Sequence, residues 1–206
     1  SGKDGVSVVK TYTFHRDSYL IDVAFEVRNG STAPVTPRAY FQITHSGKLP
    51  SQSNAVAETF GAQSFTGYAE YTGEKKYEKV DFSDIDKGKA SHVKQSKDGW
   101  LAFVQHYFVS AWLPPDNVDR EFAIEKRSDG GYFGRVILKP SAAIEPGASG
   151  TIASRLYAGP QEQRRLKEAA PGLELVVDYG WLTFLAKPIY WLLEQLYSVV
   201  ANWGWA

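Results

Sequence analysis

The run Leu20-Ile-Asp-Val-Ala-Phe-Glu-Val27 constrains this chain most. Ile21, Val23, Phe25 and Val27 fall on one face of an extended segment, and Asp22 and Glu26 fall on the other. A period of two with one wet face is the signature of an antiparallel strand packed on one side. Val6 to Phe14 precedes it across the polar turn His15-Arg-Asp-Ser18, which predicts a hairpin. Further strands are predicted at Arg38 to His45, Phe65 to Tyr71, Lys75 to Phe82 and Ala90 to Lys97. Others follow at Trp100 to Leu113, Glu121 to Lys126, Tyr132 to Leu138 and Gly150 to Ala158. Turn signals separate most of them, among them Gly73-Glu74, Asp98-Gly99, Pro114-Pro115-Asp116 and Asp129-Gly130-Gly131. Many short strands at this spacing predict a mainly β fold, a large antiparallel β-sandwich over residues 1–158.

From residue 159 the pattern turns helical. Gly159-Pro160 predicts a helix start with proline in the first turn, and Gln161 to Ala170 a helix ended by Pro171-Gly172. Leu173 to Val177 reads as a short strand-like link. Residues 159–206 are thus expected to form a C-terminal segment of α-helices. Its last part, Trp181 to Trp203, is strongly amphipathic. At about 100° per residue, Leu182, Leu185, Ile189, Leu192, Leu193, Leu196, Val199, Val200 and Trp203 share one side. Thr183, Lys187, Glu194, Ser198 and Asn202 gather opposite. Such a helix packs on a sandwich, or lies in a membrane interface with Trp and Tyr at headgroup level. Four of the 6 tryptophans lie at or after Trp181, which favours the membrane; Lys187 as the lone cation there favours the sandwich.

Composition removes several function classes. Lys+Arg and Asp+Glu are both 23, so the basic excess of a nucleic-acid binder is missing. The chain has no cysteine, which excludes thiolate catalysis and cysteine-based zinc sites. His15, His45, His92 and His106 show no metal-ligand spacing, so neither a metal nor another cofactor is expected. No uninterrupted apolar run reaches the length of a transmembrane helix.

Asp178-Tyr-Gly-Trp181, Lys187-Pro188, Trp191-Leu192-Leu193 and Asn202-Trp-Gly-Trp205 closely resemble the segment that precedes the second transmembrane helix of the YidC family of bacterial membrane-protein insertases. Lys76-Tyr-Glu-Lys79, Gly99-Trp100, Gln105, Tyr107-Phe108 and Ala111-Trp112 resemble the family upstream. Tyr157-Ala-Gly-Pro160 stands at its hinge into the helices, and Ala170-Pro171 at its helix stop. The resemblance implies a periplasmic "supersandwich", related in fold to galactose mutarotase, that leads into a membrane span after Ala206. It also implies that roughly another hundred residues of the family's domain lie N-terminal to this start. The implied function is that of an accessory domain, facing the periplasm from the bacterial inner membrane. It belongs to an insertase and chaperone that inserts and folds inner-membrane proteins, alone or with the Sec translocon. The implied partners are SecD, SecF, SecY and nascent membrane proteins. The alternative is a carbohydrate-binding or sugar-epimerising sandwich, which needs a histidine paired with a carboxylate in a sugar-sized cleft.

No covalent bond is made or broken by insertion, so no catalytic residue is expected. Two surfaces are candidates. One is a membrane-interface helix carrying Trp181, Leu185, Ile189, Leu192, Leu196 and Trp203. The other is a Sec-partner surface within Ser53 to Gly99, where the family's SecF contact is implied, carrying Phe65, Tyr68, Tyr71 and Tyr77. Arg164, Arg165 and Lys167 form a small basic patch suited either to lipid phosphates or to pairing along a solvated helix face.

Overall fold

The computed structural model describes residues 2–3, 5–48, 65–139, 142–177, 188–189, 191–193 and 195–197. Two antiparallel sheets form a sandwich. The larger has eight strands in the order β1 (Gly2–Lys3), β2 (Val6–Phe14), β3 (Leu20–Asn29), β12 (Ser149–Pro160), β9 (Phe108–Leu113), β8 (Trp100–Val104), β5 (Gly67–Thr72) and β6 (Lys76–Val80). The smaller runs β4 (Ala39–His45), β11 (Tyr132–Leu138), β10 (Arg120–Lys126) and β7 (Gln95–Ser96). The fold class expected from the alternating runs is therefore the one observed.

The alternation of β3 does what its pattern requires. Val23 and Val27 are buried between the sheets, and Ile21 and Phe25 pack against the same core. The β2–β3 register opposes Phe14 to Ile21, Tyr12 to Val23, Lys10 to Phe25 and Val8 to Val27, so these eight share one face. Phe41 of β4 stacks between Phe25 of β3 (5.6 Å) and Trp112 of β9 (4.9 Å). End strand β4 therefore sits above β12, which runs between β3 and β9. Strand β3 is still covered by the smaller sheet, and the larger sheet extends past β4 through β2 and the two-residue β1. Tyr12 and Phe14, on that overhang, remain 50% and 73% exposed.

The central strands of the larger sheet are covered on both faces. Leu101 and Phe103 face the smaller sheet, while Trp100, Ala102 and Val104 face a second core. That second core lies under α2 (Gln163–Ala169) and a 3₁₀ turn (Leu173–Val176), which bury Leu166, Ala169, Leu173 and Val176. Double burial explains a departure from expectation. Trp100 to Leu113 reads as one apolar run but is two strands, β8 and β9. The reversal is closed by the Gln105 N–H donating to the Phe108 carbonyl at 2.9 Å.

Other departures are local. Lys75 to Phe82 ends as a strand at Val80, because Asp81 caps the short helix α1 (Phe82–Asp86), accepting from the Asp84 N–H at 3.0 Å. Phe82 then turns into the core against Tyr132, 4.4 Å between ring centroids. Of Ala90 to Lys97, only Gln95 and Ser96 pair as strand β7. Pro160 ends β12 rather than opening a helix, and Leu173 to Val177 is a 3₁₀ turn rather than a strand. Gly172, at φ +75°, lets the chain turn tightly against the ring of Tyr71.

One buried charge joins the sheets at the end opposite the β8–β9 reversal. Arg120 is 1% exposed. Its Nε donates to the Val118 carbonyl (3.1 Å) and its Nη1 to Gly99 (2.6 Å). Its Nη2 donates to Lys97 (2.9 Å) and Pro115 (2.5 Å). Burial pulls the guanidinium below its ordinary pKa, opposed by Asp116 and Asp98. Replacing Arg120 with Met would orphan these carbonyls, and is expected to lower unfolding stability by about 3 kcal/mol or more. Urea unfolding of the variant measures this; an unchanged midpoint would show that the loops hold themselves.

Candidate docking surfaces

The C-terminal candidate comes first. All its described residues, 188–189, 191–193 and 195–197, are helical. Ile189 (49%), Leu192 (52%) and Leu196 (41%) are exposed, as is Trp191 on the polar side of the pattern. Trp181, Leu185 and Trp203 lie outside the described residues. Ile189, Leu192 and Leu196 thus face solvent while Leu193 is half-buried, and among the described residues none of them joins either core. No helix among the described residues is long and apolar enough to cross a membrane.

The hairpin candidate is divided by the fold. Tyr68 is fully buried, with its ring edge-on to Phe103 at 5.0 Å and its hydroxyl donating to the Ile43 carbonyl at 3.2 Å. Burial pushes its phenol above the ordinary tyrosine range. Tyr68 therefore belongs to the core and cannot present itself to a partner. Gly134 makes the room, since a Cβ there would stand 2.6 Å from the Tyr68 ring. Tyr71 stacks on Trp100 at 5.8 Å and Tyr77 lies 6.2 Å from it, both half-buried on the opposite face. Phe65 is half-buried, with the Lys79 ammonium 5.1 Å from its ring centre. The part of this region turned outward is end strand β6, which among the described residues pairs with β5 and exposes Lys76 and Lys79. It lies within the segment Ser53 to Gly99 expected to carry partner contact.

On α2 the three cations separate. Arg165 pairs with Glu162 at 2.8 Å, donates to the Asp17 carbonyl at 2.9 Å and lies over the Tyr19 ring. It is a structural tie between α2 and the β2–β3 turn. Arg164 and Lys167 are exposed.

The histidines are scattered. His15 contacts Asp22 at 2.6 Å on the exposed β2–β3 hairpin. His45 stacks on Phe82 and Phe103, and burial lowers its pKa. His92 is also lowered, first by burial and then by Lys94. Among the described residues, no three His, Asp or Glu side chains are placed to hold a metal ion. A cleft of about 480 Å³ is lined by Tyr71, Trp100, Asp98 and Arg155, and no histidine borders it. Its Asp98 carboxylate already accepts from the Gly73 N–H and the Ser96 hydroxyl, which hold its pKa low. The acid–base pair a sugar epimerase requires is not assembled there.

The outward features of this two-sheet antiparallel sandwich are exposed apolar residues of a helical segment, a charged end strand and two helix cations. Residues 1–192 match the YidC periplasmic domain, and the chain belongs to that family. It is 53% identical over 204 residues to a membrane protein insertase YidC of Aromatoleum aromaticum, covering 99% of this chain and 36% of that protein. It is 48% identical, at the same coverages, to proteins of that name in Burkholderia vietnamiensis and Dechloromonas aromatica. The chain thus spans about a third of the length of these curated relatives.

Tyr68→Phe separates core from surface. Loss of the hydroxyl leaves the Ile43 carbonyl unpaired, so thermal unfolding is expected to register a loss of about 1–2 kcal/mol. A surface tyrosine would give no change.

Proposed function

We propose that this chain is the periplasm-facing accessory domain of an inner-membrane protein insertase, and that its own role is docking and support rather than catalysis. The match to the YidC periplasmic domain over residues 1–192 carries this reading. The three relatives described above are named membrane protein insertases. Insertion and chaperoning of nascent membrane proteins belong to the whole protein, alone or together with SecD, SecF and SecY. Within this domain, end strand β6 and the Phe65, Tyr71 and Tyr77 side of the hairpin offer a surface to a Sec component.

The helical segment at 188–197 rests on the lipid interface with its apolar side down. Support comes from the exposure of Ile189, Leu192 and Leu196, together with Tyr197 as an interfacial anchor. The sandwich is then a rigid body held at the membrane surface, and its loops and edges are presented at a fixed height to partners.

Two measurements test this. Cells depleted of the full-length protein are expected to accumulate uninserted small membrane proteins; normal insertion after depletion would end the insertase reading. Leu192→Glu with Leu196→Glu is expected to abolish co-flotation with lipid vesicles while leaving the unfolding midpoint of the sandwich unchanged. A helix packed on the sandwich would instead lose roughly 2–5 kcal/mol per leucine.

A further inference from the structure

The inner face of β5 carries a carboxyl group that neither docking surface uses. Glu70 is 1% exposed. Its Oε1 accepts the Val93 N–H at 2.5 Å, which ties the irregular segment 87–94 to the larger sheet. Its Oε2 is buried and accepts nothing. Directly opposite in the β5–β6 register stands Glu78, whose Oε2 is likewise buried without a hydrogen-bond partner. Two opposed carboxylate oxygens cut off from water repel each other; the Lys75 ammonium, 3.7 Å from the Glu78 Oε2, offsets this on the Glu78 side, whereas Glu70 forfeits its hydration uncompensated. A single proton between them removes both penalties, as one acid then donates to the other's oxygen.

We propose that Glu70 is held protonated and donates its proton towards Glu78, and that this buried proton latches residues 87–94 onto the sandwich. The latch matters because of what the segment carries. Ala90 and Val93 pack against the core between the sheets, and the segment leads directly into end strand β7. Releasing it uncovers apolar surface and loosens that strand.

The surrounding charges are few. Lys75, from the β5–β6 turn, approaches Glu78 at 3.7 Å. It favours the ionised form of Glu70 more weakly than Glu78 opposes it. From the segment itself come His92 and Lys94, and from β10 comes Glu125; these act on His92. Burial, then Lys94, disfavours the charged form of His92. Burial raises Glu70 from 4.5 to about 7; the Val93 N–H, whose hydrogen bond favours the carboxylate, opposes this, and Glu78 adds to the rise. The sign follows. The protonated latch is fully closed below the ordinary carboxylate range, weakens as pH rises, and gains no further penalty above about 7.

Hydrogen exchange at the Val93 amide reads the latch directly. After correction for intrinsic exchange, protection at Val93 is expected to fall about tenfold per pH unit between about pH 5 and 7, then level off. The Phe103 amide, deep in β8, serves as the reference for global unfolding. Glu70→Gln keeps an acceptor for Val93 and a donor for Glu78, so its protection is expected to be independent of pH in this window. Glu78→Gln is expected to move the transition to lower pH. Side-chain carboxyl NMR of the unaltered chain, which needs no variant to fold, should place the Glu70 midpoint near 7. A flat wild-type profile, an undiminished slope in Glu70→Gln, or a Glu70 midpoint in the ordinary carboxylate range would each overturn the proposal.

Discussion

Arg120 joins parts of the fold that would otherwise meet only through loops. Lys97 and Gly99 lie where the chain leaves β7 of the smaller sheet for β8 of the larger. Pro115 and Val118 lie where it returns from β9 to β10. These two of the crossings between the layers therefore run past one guanidinium, which satisfies their carbonyls where no ladder can. A lysine carries three donors on a flexible stem and cannot reach four carbonyls in this planar fork. Gly99 completes the arrangement. At φ +92°, with a Cβ position only 1.8 Å from the Tyr71 carbonyl, no side chain fits. Asp98, between these two, fixes the β5–β6 turn by accepting from the Gly73 N–H. The relative placement of the two sheets and the β5–β6 hairpin is thus decided within a few residues.

The legible part of the fold was the part with one wet face. Ile21, Val23, Phe25 and Val27 alternate with polar residues because the far side of β3 meets water there, and the predicted bounds of β2 and β11 match those observed. Where both faces are dry, alternation vanishes. Trp100 to Val104 is buried at every position, and the reversal at Gln105-His106-Tyr107 carries no glycine, proline, asparagine or aspartate to announce it. Tyr68 was misplaced for a related reason. An aromatic among charges reads as surface, yet its burial depends on Phe82, Phe103 and the space left by Gly134, all remote in sequence. Arg120 gave no local sign either, since its partners are backbone carbonyls, which sequence does not mark. The family resemblance rested on specific wording around Trp100 and Trp181, which physical patterning could not supply.

The faces of the domain differ in what they present. The two cores hold the sheets and α2 together; the described helical residues, the β6 side of the hairpin and the α2 cations Arg164 and Lys167 are turned outward. Contacts at both of its ends fix α2 in place. Arg165 ties it to the β2–β3 turn, and the Trp100 indole donates to the Pro171 carbonyl at 3.0 Å just beyond its end.

The overhang of the larger sheet past β4 bears on edge pairing. An end strand such as β4 invites a second molecule to continue the ladder. A partner strand must come within about 4.8 Å of it. Strands β2 and β1 project beyond β4 on one side, so a strand that joins β4 also meets the face that carries Tyr12 and Phe14. The overhang thus narrows what can pair there without a charge or a proline in the strand itself.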